Sequence, residues 1–422
     1  MPVGSNLPHN SVILRYSHSS SSTSLEENPE ESYQLLELPP EIIKAIDQGK
    51  STNGNSDGVF PLTIKGKPSD DAVLCTPNST FQLRTVGISN SILVCRNPFP
   101  SSSASISAGT GDEARPILQI RDTCHEILEC VAISPHLERI RTVLRESAWR
   151  GVNSNSLGKR KRGEKEKERR VKRWTKEQLG SVIQCSEEEL ERGLRERNVV
   201  EVEGKMLLLP PKELKELLSI VLSLLTIHSI DPSNPNTAPS RAVINALEDD
   251  HEVDESVSAE VLKLFGEISQ ADVEGEVWKA DTKRIIREVG NGLLIGVKDR
   301  KLDEFEEDWK VEVGEEWRDQ VDVKLLEGEY LISPAPLTSS SLSSSTSLIT
   351  HFPISSLPLQ PSERFSDLFL TRPKWRPEEI IPFLKGLTRD GDIKSRDKLV
   401  QKFVRVVKER DGGVWWYPRR SS

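Results

Sequence analysis

The stretch from Glu363 to Tyr417 constrains the fold more than any other. It reads Glu363-Arg364-Phe365, Leu368-Phe369 and Arg372-Pro373-Lys374-Trp375, then Glu378 through Leu384. Apolar residues recur there at helical spacing, a basic amphipathic segment follows, and an Asp411-Gly412-Gly413 turn leads into Trp415-Trp416-Tyr417. The order is helix, helix, wing, which predicts a winged helix over 361–422. A module this short buries only a small core. With 422 residues, 35% of them apolar and 29% charged, the chain reads as several small cores joined by solvated segments.

The predicted helix over 397–410 buries Leu399, Val400, Phe403, Val406 and Val407. Lys394, Arg396, Lys398, Lys402, Arg405 and Lys408 lie off that face. Phosphate neutralisation needs only cations, so this is the candidate DNA contact, set against a plain solvated basic face. On the last strand, alternation turns Trp415 and Tyr417 to one side and Trp416 to the other, with one side in the core.

A second module of the same order covers 174–230. Thr175-x-x-Gln178 and Ser186-x-x-Glu189 are capping boxes opening two helices. Val199–Val202, a Glu203-Gly204 turn and Met206–Leu209 follow as a wing, then an apolar helix from Leu214 to Ile227. Glu187, Glu188 and Glu189 make its second helix acidic, which favours a protein contact over entry into a DNA groove. Residues 239–335 are compatible with another winged helix, with Gly292–Gly296 as a strand and Leu325–Ile332 as its closing run.

Residues 31–134 read as a β module. Strand candidates are Tyr33–Leu38, Phe60–Ile64, Ala72–Thr76, Thr80–Val86, Ser91–Cys95 after a Gly87–Asn90 turn, Ile117–Ile120 and Glu126–Val131. So few short strands close poorly alone, and their edges invite pairing with another chain. The fold class is therefore α+β multidomain: an N-terminal small β module followed by tandem winged helices. Residues 1–30 read as a disordered tail, 135–173 as a helix and basic linker, and 336–360 as a Ser-rich loop.

The net charge of −9 is unevenly spread. Residues 246–330 hold 26 acidic and 11 basic residues, 150–173 hold 3 and 11, and 363–422 hold 9 and 15. Basic segments point to polyanion contact. Lys159-Arg160-Lys161-Arg162 reads as a nuclear localisation signal or as part of a solvated helix interleaved with Glu164, Glu166 and Glu168. The five cysteines show no metal spacing, and with no signal peptide they favour a reducing compartment. No apolar window is long enough for a membrane span. No phosphate-binding loop, metal cluster or nucleophile–base signature is present, so no cofactor and no enzymatic activity are expected.

Three motifs carry a family resemblance. One is Lys65-Gly66 with Asp70–Thr76, Thr80-Phe81-x-Leu83-Arg84 and Ser89-Asn90-Ser91. Another is Ser186-Glu187-Glu188-Glu189-Leu190. The third is Arg364-Phe365-x-x-Leu368-Phe369-x-x-Arg372-Pro373-Lys374-Trp375 running into Ile381-Pro382-Phe383-Leu384. In this order, over most of 31–422, the chain resembles the defective-in-sister-chromatid-cohesion family. These are non-catalytic subunits of the alternative, replication-factor-C-like clamp loader. The resemblance implies that the β region completes a composite β-barrel with the large and small specific subunits of that loader. Phe81, Leu83, Val86, Ile92 and Val94 are the expected partner-binding residues. It also implies contact with DNA polymerase epsilon, binding of single- and double-stranded DNA by the C-terminal winged helices, indirect links to the replication factor C small subunits and the sliding clamp, and a nuclear location. The chain departs from the family in its Ser-rich insertions (99–113 and 339–347) and its charged linker at 159–173. Two alternatives stand: a tandem winged-helix scaffold of trafficking or transcription machinery, which does not account for the β module, and a sequence-specific transcription factor, against which the acidic Glu187, Glu188 and Glu189 of 186–196 argue.

Overall fold

A computed structural model describes residues 13–16, 32–52, 62–68, 70–96, 117–152, 172–271, 275–334, 347–389, 391–409 and 412–419. They fall into two compact units, one within Met1–Thr76 and Phe81–Ala132, the other within Pro77–Thr80 and Ile133–Ser422. The architecture is mixed α and β with several small sheets.

The first unit holds β1 (Ile13–Tyr16), β2 (Leu35–Glu37), α1 (Pro40–Thr52), β3 (Thr63–Lys65), β4 (Val73–Cys75), β5 (Thr80–Arg96) and β6 (Ile117–Ala132). Its sheet runs β1-β6-β5-β4-β3, with β2 also on β6. Three expectations change here. Ile13–Tyr16, assigned to a tail, pairs in parallel with Ile117–Ile120. The run Thr80–Cys95, expected as two strands, is one strand, because β6 supplies backbone partners on both sides of the expected turn, to Phe81–Gly87 and to Ile92–Arg96. The expected turn survives as an irregularity: Gly87 pairs with Glu126, and pairing resumes at Ile92 with Cys124. Helix α1 was not anticipated. Its Ile42 packs with Leu74 and Phe81 in the core of this unit.

The second unit holds α2 (Arg139–Leu144), α3 (Lys176–Val182), α4 (Glu187–Glu196), β7 (Val199–Val202), β8 (Lys205–Leu208) and α5 (Pro211–Ile227). Next come β9 (Thr237–Pro239), α6 (Ser240–His251), α7 (Glu255–Leu264), β10 (Gly266–Ala271), β11 (Gly275–Ala280) and α8 (Thr282–Leu294). Then follow β12 (Arg300–Lys301), α9 (Leu302–Val313), β13 (Tyr330–Pro334) and β14 (Ser347–His351), and last α10 (Pro361–Thr371), α11 (Pro377–Ile380), α12 (Ile393–Phe403), β15 (Val404–Lys408) and β16 (Val414–Pro418). Both capping boxes form as read: Thr175 caps α3 with Gln178, and Ser186 caps α4 with Glu189.

Among the described residues one topology recurs four times. A helix leads to a short edge strand, two further helical segments follow, then a hairpin whose second strand takes the edge strand as its neighbour. In the first copy the edge is the single bridge Trp174–Met206, between α2 and the α3, α4, β7, β8 run. In the second, α5 leads and β9 pairs with β11. In the third, α8 leads, β12 pairs with β14, and 3-10 turns at Glu315–Gln320 and Val323–Leu326 stand in for the second helix. In the last, α10 leads and Trp375 bridges to Trp416. Helix α5 thus opens the second copy: Leu214, Leu217, Leu218, Val221 and Leu225 lie in one core with Trp278, Ile285 and Trp309.

Two local expectations fail for packing reasons. The predicted strand at 292–296 is the end of α8 and the turn after it. A Cβ on Gly292 would lie 2.4 Å from Lys215 Cβ and 2.6 Å from the Pro211 carbonyl oxygen, so that glycine serves close helix packing. The closing run of 325–332 is a 3-10 turn followed by β13, which begins only at Tyr330.

Candidate nucleic-acid interface

Helix α12 begins at Asp392, whose carboxylate accepts from the Ser395 backbone N–H at 3.0 Å. Hydrogen bonds from Ser395 hold that carboxyl below its ordinary range. Val400 is buried, and Leu399 and Phe403 pack beside it against Phe365, Leu368 and Trp375. The Phe403 ring stacks on Phe365 at 5.1 Å. The expected helix over 397–410 ends at Phe403. Val404 starts a strand because Val404–Lys408 pairs with Val414–Pro418, and the β-branched Val404, Val406 and Val407 are compatible with a pleated chain. Val406, expected in the buried face, is 58% exposed.

This break divides the six candidate cations. Lys394, Lys398 and Lys402 are exposed and follow one ridge at four-residue spacing. Arg396 lies on another side of the helix, is half-buried, and bonds the neighbouring Asp397 at 3.1 Å. Arg405 and Lys408 sit on β15.

The β15–β16 sheet brings Lys374 and Arg376, which sequence reasoning did not assign to the site, beside Trp415. Arg405 pairs in register with Tyr417, its guanidinium 5.8 Å from the ring centre. Trp416 packs inward, so Trp415 and Tyr417 share the outer face. Lys374 Nζ lies 4.2 Å from the Trp415 ring and the Arg376 guanidinium 5.2 Å from it. Glu409 accepts from Lys374 at 2.8 Å and from the Tyr417 hydroxyl, a bond that raises the Tyr417 pKa. The signal was available: Lys374 and Arg376 flank Trp375, which is fully buried and donates its indole N–H to the Leu368 carbonyl, so alternation turns both neighbours outward. Chemically, this surface offers cations on a ridge and cations on an aromatic face. Both suit phosphate contacts, which position a nucleic acid without selecting its sequence.

The other candidates fare differently. Phe81 is corrected: it is 2% exposed and packs with Ile42 of α1 and Leu74, so it serves the core of its own unit. Leu83 packs against the same core, Val86 and Val94 are half-buried, and Ile92 is 43% exposed. Leu36, Ile64 and Leu93 join Ile92 as exposed apolar residues of this unit. Glu189, read as part of an acidic surface, is buried and accepts from the Thr80 hydroxyl at 2.5 Å and the Ser186 hydroxyl at 2.8 Å. Lys159, Arg160, Lys161 and Arg162 fall outside the described residues, as do 99–113 and most of the second Ser-rich insertion. Among the described residues no group of His, Cys, Asp or Glu is arranged to hold a metal. None of their helices is long and apolar enough to cross a membrane.

Small helix-and-hairpin modules, the last with a strongly basic helix, define a modular α+β protein. Comparison with known proteins gives the family. The profile described as sister chromatid cohesion protein Dcc1 matches residues 33–384, and the chain belongs to that family. It is 26% identical to the human sister chromatid cohesion protein DCC1, over 87% of this chain and 84% of that protein. The mouse protein of the same name is 25% identical over 88% and 83%. A probable sister chromatid cohesion protein DCC1 of Dictyostelium discoideum is 24% identical over 91% and 93%.

Proposed function

We propose that this chain is a non-catalytic subunit of an alternative, replication-factor-C-like clamp loader. In this reading it acts in the nucleus and links the loader to DNA polymerase epsilon and to DNA during sliding-clamp loading or unloading, in support of sister chromatid cohesion. The family match carries the reading, because it runs across both compact units. The first unit is the part that completes a barrel with the specific loader subunits; its exposed Leu36, Ile64, Ile92 and Leu93 give such a partner an apolar surface. Each of the four recurring units is a winged helix. Their second helices differ in charge. Helix α4 carries Glu187, Glu188, Glu191 and Glu196 and suits a protein such as the polymerase, whereas α12 carries Lys394, Arg396, Lys398 and Lys402 with a single acid and suits DNA.

The test is affinity purification of the tagged chain from nuclease-treated nuclear extract, followed by mass spectrometry. Recovery of the replication factor C small subunits with polymerase epsilon is expected. Recovery of trafficking or transcription subunits in their place would refute the reading.

A further inference from the structure

A cleft of about 420 Å³ lies where three of the four repeats meet. Its walls come from α2, the end of α4, α8, the turn before β13, and the segments around Ile354 and Lys385. Six cations line it: Arg141, Arg192, Arg197, Arg287, Arg364 and Lys385. Four carboxylates, Glu138, Glu196, Glu327 and Glu329, oppose them. Three of the cations are structural, among them Arg287, which donates to the Leu325 carbonyl at 3.1 Å and to Glu288 at 3.0 Å. Arg197 pairs with Glu138 at 2.8 Å. Arg364 is 2% exposed and donates to the carbonyls of Pro358 at 2.6 Å and Lys385 at 2.8 Å, which pins the turn that carries Lys385. Looser pairings leave charge toward the opening: Arg141 lies 3.8 Å from Glu138, and Lys385, 59% exposed, lies 3.5 Å from Glu196. Leu137, Ile354 and Leu359 add an apolar wall.

A second hollow of about 400 Å³ shares Glu327, Ile354, Lys385 and Gly386 with the first and continues past Arg389 to Arg396 on α12. The side of α12 turned away from the lysine ridge therefore opens onto a groove lined by Lys385, Arg389 and Arg396 together with Glu327 and Asp392. Spaces of this size take a group as large as a nucleotide; a duplex does not enter them. Cations beside an apolar wall match phosphate beside sugar and base.

We propose that this junctional cleft binds the phosphodiester backbone of a single nucleic-acid strand arriving from α12 past Arg396, Arg389 and Lys385, with Glu329 setting the charge of the site. The proposal rests on the reading of α12 as a DNA contact. Glu329 faces Arg141 and Glu138 from α2 and Arg287 and Glu288 from α8, with Glu327 on its own segment and Arg364 and Lys385 across the cleft. Burial pushes its carboxyl up to about 7. Its neutral form removes a negative charge from the site, so binding strengthens below about pH 7 and weakens above it. His351, on the strand beside Tyr330, and His136, between the lining residues Pro135 and Leu137, are both held below their ordinary values by burial and are the groups that a Glu329 variant must be distinguished from.

The experiment uses the full chain, fluorescein-labelled oligo(dT) and a blunt duplex, with anisotropy read across a salt series. Arg192→Glu and Lys385→Glu alter exposed side chains and spare the core. Each is expected to weaken oligo(dT) binding roughly threefold to tenfold and to flatten the salt slope by about 0.7 per phosphate lost, with duplex affinity unchanged. Raising the pH from about 6 to about 8 weakens oligo(dT) binding by a similar factor beyond any change in the duplex, and Glu329→Gln removes that step. Wild-type oligo(dT) affinity in both cleft variants overturns the proposal, as does a pH step that persists in Glu329→Gln or failure of the wild type to bind oligo(dT). Lys398→Glu with Lys402→Glu tests the underlying reading separately: unchanged duplex affinity there refutes α12 as the DNA contact.

Discussion

Removing the carboxylate of Glu189 should loosen the start of α4, and Thr80 should account for much of the loss. Glu189 Oε2 accepts three hydrogen bonds: from Thr80 Oγ1 at 2.5 Å, from Ser186 Oγ at 2.8 Å and from Ser186 N at 3.1 Å. Thr80, Ser186 and Glu189 are all buried, so water does not replace a lost partner. A hydrogen bond to a charged group contributes about 1.5–3 kcal/mol, and a helix cap about 1 kcal/mol. Glu189→Ala loses the cap's reciprocal bond and both hydroxyl bonds, but Ser186 N keeps Thr80 Oγ1 at 2.9 Å as an acceptor. The expected cost is therefore about 3 kcal/mol. Thr80→Val, close in shape, loses one charge-assisted bond at about 1.5–3 kcal/mol. Because that bond is shared, the double variant should cost less than the sum of the singles by the same 1.5–3 kcal/mol. Hydrogen exchange of the amides at Glu187–Leu190 in the full chain reads the local opening free energy without assuming that a multi-module chain unfolds in one step. A loss of about 3 kcal/mol appears there as exchange faster by roughly a hundredfold. Additive single effects, or unchanged protection in Glu189→Ala, would refute the assignment of the carboxylate as the clasp.

Two further outcomes follow from the packing and the charges. Gly290→Ala places a Cβ 2.4 Å from the Trp309 ring, which is fully buried and donates its N–H to the Ile286 carbonyl at 3.0 Å. The variant should lose about 1–3 kcal/mol despite the better helix propensity of alanine, and a melting temperature at or above wild type would contradict that account of α8–α9 packing. Glu329 has a carboxyl raised to about 7 in the folded chain from an ordinary value of 4.5. The unfolded chain gives up that proton first as pH rises, so this group lowers stability progressively between about 4.5 and about 7. Glu329→Gln should therefore be more stable than wild type above about pH 7, by up to about 3 kcal/mol, with the gap closing toward pH 4.5. Urea midpoints along a pH series measure it, and a gap that does not change with pH would refute the burial of the carboxylate.

What the chain reveals residue by residue is its local structure. Both capping boxes were legible because their partners lie three residues apart, and the amphipathic helices because helical periodicity repeats within a turn or two. The family motifs and the basic character of 394–408 were likewise local and legible. Tertiary structure decided the rest. The run after Phe403 is apolar and β-branched, and only pairing with Val414–Pro418 makes it a strand. Gly292 looks like a strand glycine until α5 is packed against it. Phe81 alternates like an interface residue, yet α1 covers its face. The fourfold recurrence stayed hidden because two of its edge strands are single bridges and another is only two residues long. The junctional cleft was invisible for the same reason at longer range. Arg141, Arg192, Arg287 and Lys385 come together only when three repeats pack, and no sequence periodicity records a contact between residues so far apart in the chain.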